Sequence, residues 1–104
     1  MVIKMVKHVI LWQLKEELSE TEKNDVKKSI KEGLESLKGK IPGLNEIKVE
    51  INPMPSSNAD VMLDSSFENG EALKAYAIHP EHVKVADENV RPYTRNRVCM
   101  DFEV

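Results

Sequence analysis

The segment Val6–Leu14 near the start of the chain constrains the fold most strongly. Its residues alternate in the manner of a β-strand. Apolar side chains fall on both faces, with Ile10 and Trp12 on one and Val9 and Leu11 on the other. Because a strand that is apolar on both faces has to be covered on both sides, we expect this segment to be a central strand of a sheet.

One polar ring, His8, lies on the same face as Ile10 and Trp12. A histidine in that position is either a hydrogen-bonded core residue or a cavity-facing residue with a chemical task. The second interpretation is open because the pKa of an ordinary histidine lies near neutrality.

The first helix is predicted from a capping box, Ser19-Glu20-Thr21-Glu22. The helix is predicted to continue to about Lys38, with Gly39 well placed to end it. Charged residues lie on its solvated face, and apolar residues recur three or four positions apart on the other. This apolar stripe consists of Val26, Ile30, Leu34, Leu37 and Ile41.

Three later segments alternate like strands, and a divided helix lies between the last two. The predicted strands are Leu44–Asn52, Ala59–Phe67 and Arg97–Val104. The divided helix begins at Asn69 as N-cap and ends before Pro92. It breaks at His79-Pro80, because the residue before a proline is disfavoured in a helix and proline suits the first turn of a new one.

This order, βαββαβ with a split second helix, predicts an α+β protein with a ferredoxin-like fold in a single domain, residues 1–104. Helices cover one face of such a sheet. The other face also carries apolar residues here, and large exposed apolar patches are rare on monomers. We therefore expect a second copy of the chain, related by a two-fold axis, to cover it in a homodimer. The predicted interface contains the sheet face that bears Ile10 or its neighbours.

Charge and composition exclude several classes of partner. The net charge is −3 and lysines alternate with glutamates, so no nucleic acid is expected. No apolar run reaches the roughly 18 residues that span a bilayer, and the first residues, Met1 to Lys7, do not resemble a signal peptide. Cys99 is the only cysteine, which excludes an internal disulfide and is consistent with the cytoplasm. We expect Cys99 to be a buried, unreactive thiol.

The candidate functional stretch is Tyr76-Ala77-Ile78-His79-Pro80-Glu81-His82-Val83, which collects three polar rings. Tyr76 would end one helix, His79 would lie at the break and His82 would lie in the next first turn. The rings could form the wall of a small-molecule pocket, in which Tyr76 and His82 act as an acid/base pair. A packed structural corner explains the same residues.

A metal site would need His8, His79 and His82 to converge. Since His79 lies at the helix break, its ring and that of His82 are expected to diverge. The sequence therefore predicts no metal site at these histidines, and no cofactor.

The chain resembles the stress-responsive dimeric α/β-barrel domain family over nearly its whole length. The matching features are Lys7-His8-Val9, Ile41-Pro42-Gly43, Asp60 to Phe67, the Tyr76 to Val83 run, which is the most specific, and Asp101. The resemblance implies a ferredoxin-like protomer whose sheet packs against that of a second copy.

The resemblance leaves the function open. Most members of the family are uncharacterised or linked to stress responses. One plant member is a cyclase that closes a linear polyketide by aldol condensation. Its catalytic tyrosine and histidine match Tyr76 and His82, and its first-strand histidine matches His8. Its third-strand pocket histidine has no counterpart in Ala59-Asp60-Val61-Met62.

Three functions follow as hypotheses. The first is a homodimer that binds a small, mostly apolar ligand in a cavity of each protomer. Its polar contacts would be His8, Tyr76 and His82, with Trp12 and His79 also at the ligand. The second is a cofactor-free enzyme that abstracts a proton α to a carbonyl, with His82 and Tyr76 as catalytic residues. The third is a structural protein that protects others under stress.

Overall fold

The computed structural model describes residues 4–104. Its strands are β1 (Val6–Leu14), β2 (Leu44–Glu50), β3 (Val61–Phe67) and β4 (Thr94–Glu103), and its helices are α1 (Glu20–Glu35), α2 (Gly70–Ile78) and α3 (Pro80–Val85). A π-helical segment, Ala86–Val90, and a 3₁₀ turn, Arg91–Tyr93, connect α3 to β4. The predicted α+β, ferredoxin-like βαββαβ order with a divided second helix is confirmed. Met1 to Ile3 lie outside the described residues. The predicted domain, residues 1–104, and the prediction about Met1 to Lys7 both include these three residues.

The four strands form one antiparallel sheet in the order β2-β3-β1-β4. The central position predicted for β1 is confirmed. Strand β4 lies at an edge of the sheet and pairs with β1 alone. In this register His8 lies directly opposite Ser65 of β3 and Asp101 of β4.

The core lies between the helices and the inner face of the sheet, which is the face that bears Ile10 and Trp12. The predicted apolar stripe of the first helix is confirmed, although its last two members lie just beyond α1. The buried residues of this stripe are Val26, Ile30, Leu34, Leu37 and Ile41.

Capping determines where the helices begin. Ser19 Oγ accepts from the Glu22 backbone N–H at 3.1 Å, and the Glu22 carboxylate accepts from the Ser19 N–H at 3.0 Å. The predicted capping box is therefore confirmed. Helix α1 ends at Glu35 rather than near Lys38, because the backbone hydrogen bonds there join residues three positions apart instead of four. Leu37 N–H donates to the Leu34 carbonyl and Lys38 N–H to that of Glu35.

Several strand ends differ from the prediction. Strand β2 ends at Glu50 rather than Asn52, and β3 begins at Val61 rather than Ala59. Ahead of β3, the Asp60 N–H donates to the Trp12 carbonyl at 2.9 Å and the Asp60 carboxylate accepts the Leu14 backbone N–H at 2.8 Å. Contact with β1 therefore continues there through one backbone and one side-chain bond. Strand β4 begins at Thr94 rather than Arg97, and a bulge there accommodates one extra residue. That residue is Asn96, whose φ of 45° is one that asparagine tolerates.

Within residues 4–104, no helix lies on the outer face of the sheet, and apolar side chains are exposed there. Leu11 is 38 % exposed, and Val98 and Met100 of β4 are 64 % and 66 % exposed. Ile10 faces the helices and is buried, so the predicted interface cannot contain Ile10 itself; its neighbours Val9 and Leu11 lie on the outer face. Side chains alternate along a strand, and only the odd members of this stretch point outward.

None of the helices in residues 4–104 is long and apolar enough to span a membrane.

Candidate functional site

A cavity of about 780 Å³ lies between the inner face of β1 and the divided helix. Aliphatic side chains from β1, β3 and the helices form one part of its wall. These include Val6, Ile10, Leu34, Leu63, Leu73, Ala77, Ala86 and Val90. Polar and charged side chains, among them Arg91, Arg95 and Arg97, line the rest. An apolar surface with polar groups beside it is typical of a site for a small molecule.

His8 brings a polar ring to the floor of the cavity. Its side chain is 9 % exposed, and its Nδ1 lies 2.5 Å from Asp101 Oδ1 on the neighbouring strand. Ser65 Oγ donates to the His8 backbone carbonyl at 2.9 Å. The His8 ring is therefore hydrogen-bonded and also lines the cavity, and a chemical task for it stays a prediction.

Tyr76 is the most deeply placed polar residue of the cavity wall, with 1 % of its surface exposed. Its ring packs 4.9 Å from that of Phe67 and 6.1 Å from that of His8, measured between centroids. Burial raises the pKa of its hydroxyl, an effect that the positive charge of Arg97 partly offsets. The hydroxyl is therefore protonated at neutral pH and can donate a hydrogen bond.

His82 lies against Tyr76, with ring centroids 4.1 Å apart and planes inclined by 32°. Burial lowers the pKa of the imidazole, and the charges of Arg91, His8 and Arg97 lower it further. The nearby Ala77 backbone raises this pKa, although the ring and that backbone do not meet in hydrogen-bond geometry. The ring is consequently neutral at pH 7 and can accept a proton.

The two rings share an unusual property. Within the part of the chain that the structure describes, Tyr76 OH and His82 Nδ1 are buried and have no hydrogen-bond partner. Buried polar atoms are nearly always paired, and unpaired ones call for an explanation. A ligand in the cavity would supply the missing partner to both.

The helix break sets this pair in place. His79 ends α2 and is the N-cap of α3, where its Nδ1 accepts from the Glu81 backbone N–H at 3.1 Å. Pro80 occupies the first turn of α3. The change of direction between the helices is what brings His82, in the first turn of α3, onto the ring of Tyr76 in α2.

The predicted site residues separate into two groups. The structure brings His8, Trp12, Tyr76 and His82 together on the cavity wall. His79 is engaged as a cap and is not among the cavity-lining residues, so its contact with a ligand remains a prediction that the geometry does not support. The three histidines are not gathered at one point.

Strand β4 contributes residues to the cavity that sequence reasoning did not assign to it. Arg97, Cys99 and Asp101 line its open side. Cys99 is exposed, and the prediction of a buried thiol was wrong, because Cys99 lies on the edge strand β4, whose residues are exposed along nearly its whole length. The Cys99 sulfur is still partly shielded from water, and this partial burial raises the pKa of the thiol. The negative charge of the Asp101 carboxylate raises the pKa further. The signal that could have placed these residues is the alternation of β4 combined with antiparallel pairing to β1.

Comparisons with known proteins agree with this architecture. The model of the family described as Stress responsive A/B Barrel Domain matches residues 6–104. A dimeric protein of unknown function and ferredoxin-like fold from Bacteroides fragilis is 36 % identical, with 96 % of each chain covered and a TM-score of 0.90. The comparison with curated proteins found no match.

More distant structures share the fold. A dimeric ferredoxin-like protein of unknown function from Thermobifida fusca is 19 % identical, with a TM-score of 0.81 over 97 % of this chain and 92 % of its own. The hydroxynitrile lyase from Passiflora edulis is 17 % identical, with a TM-score of 0.75 over 99 % of this chain and 95 % of its own. At these identities the likeness is one of fold.

Proposed function

The chain belongs to the stress-responsive A/B barrel domain family, and we propose that it is a homodimer that binds a small, mostly apolar ligand in the cavity of each protomer. The observation that carries the proposal is the pair of unpartnered polar atoms, Tyr76 OH and His82 Nδ1, beside the apolar residues of the cavity wall. A buried polar group without a partner costs about 1–3 kcal/mol. A ligand that bonds to these atoms recovers part of that cost.

The residues that line the cavity constrain the chemistry of the ligand. The body of the ligand is apolar, because apolar atoms form most of the exposed surface of the lining. It carries at least one acceptor, such as a carbonyl oxygen, for the Tyr76 hydroxyl. A donor or an acidic C–H group of the ligand lies near His82. His8, held by Asp101, lines the floor beneath it.

Trp12 makes the proposal testable, since it is the single tryptophan and lines the cavity. Small aromatic ketones and their hydrocarbon analogues are titrated while tryptophan fluorescence is followed. We expect ketones to change the emission saturably and to bind more tightly than the hydrocarbons. Tyr76→Phe should reduce that preference by roughly 2- to 10-fold, the value of one hydrogen bond. Tyr93→Phe, a tyrosine outside the cavity, is the matched control. If no apolar probe changes the emission, the proposal fails.

The dimer is supported by the uncovered outer face of the sheet. Leu11, Val98 and Met100 lie there with Val9, and a continuous apolar surface of this kind marks an interaction site. The relative from Bacteroides fragilis is described as dimeric. Packing of two such faces would form the α/β barrel and leave the cavity on the helical side of each sheet.

A second candidate function is proton abstraction α to a carbonyl. It is favoured by the contact between Tyr76 and His82 and by the opposite directions of their pKa shifts. His82 would be the base, and Tyr76 would donate to the oxygen of the developing enolate.

The cavity counts against the third hypothesis, a purely structural stress protein, because a structural barrel needs no internal space.

We also infer a cytoplasmic location and no role in binding nucleic acid. The single cysteine fits a reducing compartment. The net charge is −3, whereas proteins that bind nucleic acids use positive charge to neutralise the phosphates. Fractionation of cells that contain the protein, and a filter-binding assay with duplex DNA and RNA, test the two inferences.

A further inference from the structure

Three side chains of different chemistry meet on the cavity wall. His8 of β1 and Cys99 and Asp101 of β4 place a nitrogen, a sulfur and an oxygen within 4.8 Å of one another. We propose that these residues bind one divalent transition-metal ion, with zinc the ion that their chemistry favours. This proposal revises the expectation of no metal, and it uses a set of ligands other than the three histidines.

The sheet fixes the positions of the three residues. Asp101 lies directly opposite His8, and Cys99 lies opposite Ile10, the next residue of β1 on the same face. Alternate residues of a strand share a face, so both β4 side chains point to the side where the His8 ring lies. A ligand set that is built on paired strands needs little reorganisation to bind an ion.

The distances are close to those of a tetrahedral zinc site. Bonds of about 2.0–2.3 Å to nitrogen, oxygen and sulfur place the ligand atoms roughly 3.4–3.6 Å apart in a tetrahedron. Cys99 Sγ lies 3.7 Å from His8 Nδ1 and 3.5 Å from Asp101 Oδ1. The remaining distance, from His8 Nδ1 to Asp101 Oδ1, is 2.5 Å because a hydrogen bond joins the two atoms. Exchange of that proton for a metal ion requires the pair to separate by about 1 Å.

The donor set selects the type of ion. Thiolate and imidazole are ligands for zinc and similar ions, whereas magnesium and calcium require oxygen ligands almost exclusively. On binding, the Cys99 thiol releases its proton to water, and the His8 ring coordinates through Nδ1 with its proton on Nε2. Three protein ligands leave a fourth position open, as in zinc sites that hold a water molecule or a substrate.

The test is a zinc titration of protein purified without an affinity tag and stripped with a chelator. A chromophoric chelator competes for the ion. We expect one zinc per chain. Cys99→Ser and Asp101→Asn should each weaken binding by about 100-fold or more, since loss of even an outer-shell partner costs roughly 10- to 100-fold. Both residues are exposed on an edge strand, so the variants are expected to fold normally.

Matched controls come from the same strand and the same residue type. Glu103→Gln removes another carboxylate on the inner face of β4, and His79→Asn removes a histidine while keeping a capping acceptor. His82→Ala removes a residue of the proposed ligand pocket. All three should bind zinc like the wild type, so a failure of this proposal is distinguishable from a failure of the proposed function.

Cobalt gives a second measurement. The cobalt-loaded wild type should show a thiolate-to-cobalt charge-transfer band that Cys99→Ser lacks. The proposal is overturned if that band is absent, if zinc binds to the wild type no more tightly than to Asp101→Asn, or if His82→Ala abolishes binding.

Discussion

Tyr76 and His82 stack with ring centroids 4.1 Å apart, and each presents a buried polar atom that no other group in residues 4–104 satisfies. The contact spans the break between α2 and α3, so two short helices converge on one point of the cavity. Burial shifts the pKa of the hydroxyl up and that of the imidazole down, which leaves both groups uncharged at neutral pH. One can then donate a proton while the other accepts one.

The first prediction concerns the stability of the ligand-free protein. Tyr76→Phe should raise the free energy of unfolding by about 1 kcal/mol, because it removes a buried hydroxyl that has no partner. Urea unfolding followed by circular dichroism measures the change. Tyr93→Phe serves as the control, since Tyr93 is only partly buried. A marked loss of stability in Tyr76→Phe would show that the hydroxyl is bonded within the folded protein.

The second prediction concerns pH. The pKa of His82 in the folded protein lies below its ordinary value of 6.5. Between these two pKa values the unfolded chain binds more protons than the folded one, so stability rises with pH across that window and falls as the pH drops through it. We expect His82→Gln to reduce this slope. Unfolding free energies at a series of pH values from 5 to 8 (roughly the range in which histidines titrate) test it, and identical slopes for both proteins would contradict it.

The third prediction applies once a carbonyl substrate is found. His82→Ala should abolish turnover while ligand binding is largely retained, because the base is lost and the apolar contacts remain. Tyr76→Phe should lower turnover by roughly 10²–10³, the scale of one lost oxyanion donor. The rate should rise with pH through a pKa below 6.5, as the imidazole loses its proton. Full activity in His82→Ala would assign the pair a structural role.

The fourth prediction concerns assembly. Met100→Asp should dissociate the dimer or unfold it, because an unpaired charge at a buried interface costs several kcal/mol, roughly 3–5. Met54→Asp is the matched control, since Met54 is 72 % exposed and lies in the loop between β2 and β3. Sedimentation velocity at micromolar concentration distinguishes monomer from dimer. A wild-type protein that sediments as a folded monomer would exclude the barrel.

The fifth prediction concerns the turn that supports α2. Gly43 has a φ of +82°, and a Cβ added there would lie 2.5 Å from the Cβ of Ala72 in α2. Gly39 has a φ of +85° but open space around it. Gly39→Ala should therefore cost about 1–2 kcal/mol from backbone strain alone, and Gly43→Ala should cost clearly more. Equal losses in urea unfolding would show that α2 can shift to admit the extra atom.

Local sequence was sufficient for most of the fold. Strand β1 has the predicted bounds, Ser19 and Asn69 cap their helices, and Pro80 begins α3, because alternation, capping and proline geometry act within a few residues. The ends of α1, β2 and β3 were less well predicted. At the start of β3, for example, the Asp60 carboxylate accepts the backbone N–H of Leu14, which is distant in sequence.

The candidate site divides in the same way. Tyr76, His79 and His82 were recognisable as a group because they occur within one short stretch, and the proline predicted the break that separates their roles. The cap formed by His79 is a local hydrogen bond to the Glu81 backbone. What the stretch alone could not give was the angle between α2 and α3, which turns the His82 ring onto that of Tyr76.

The cluster of His8, Cys99 and Asp101 depended entirely on the tertiary structure. His8 and Asp101 are far apart in the sequence and come within 2.5 Å only because β4 returns antiparallel to β1 in one particular register. A shift of one residue would turn Cys99 and Asp101 to the outer face and bring Val98 and Met100 inward. The sequence thus determined which segments are strands and helices, whereas pairing between distant strands decided which side chains share the cavity and which apolar face remains open to a partner.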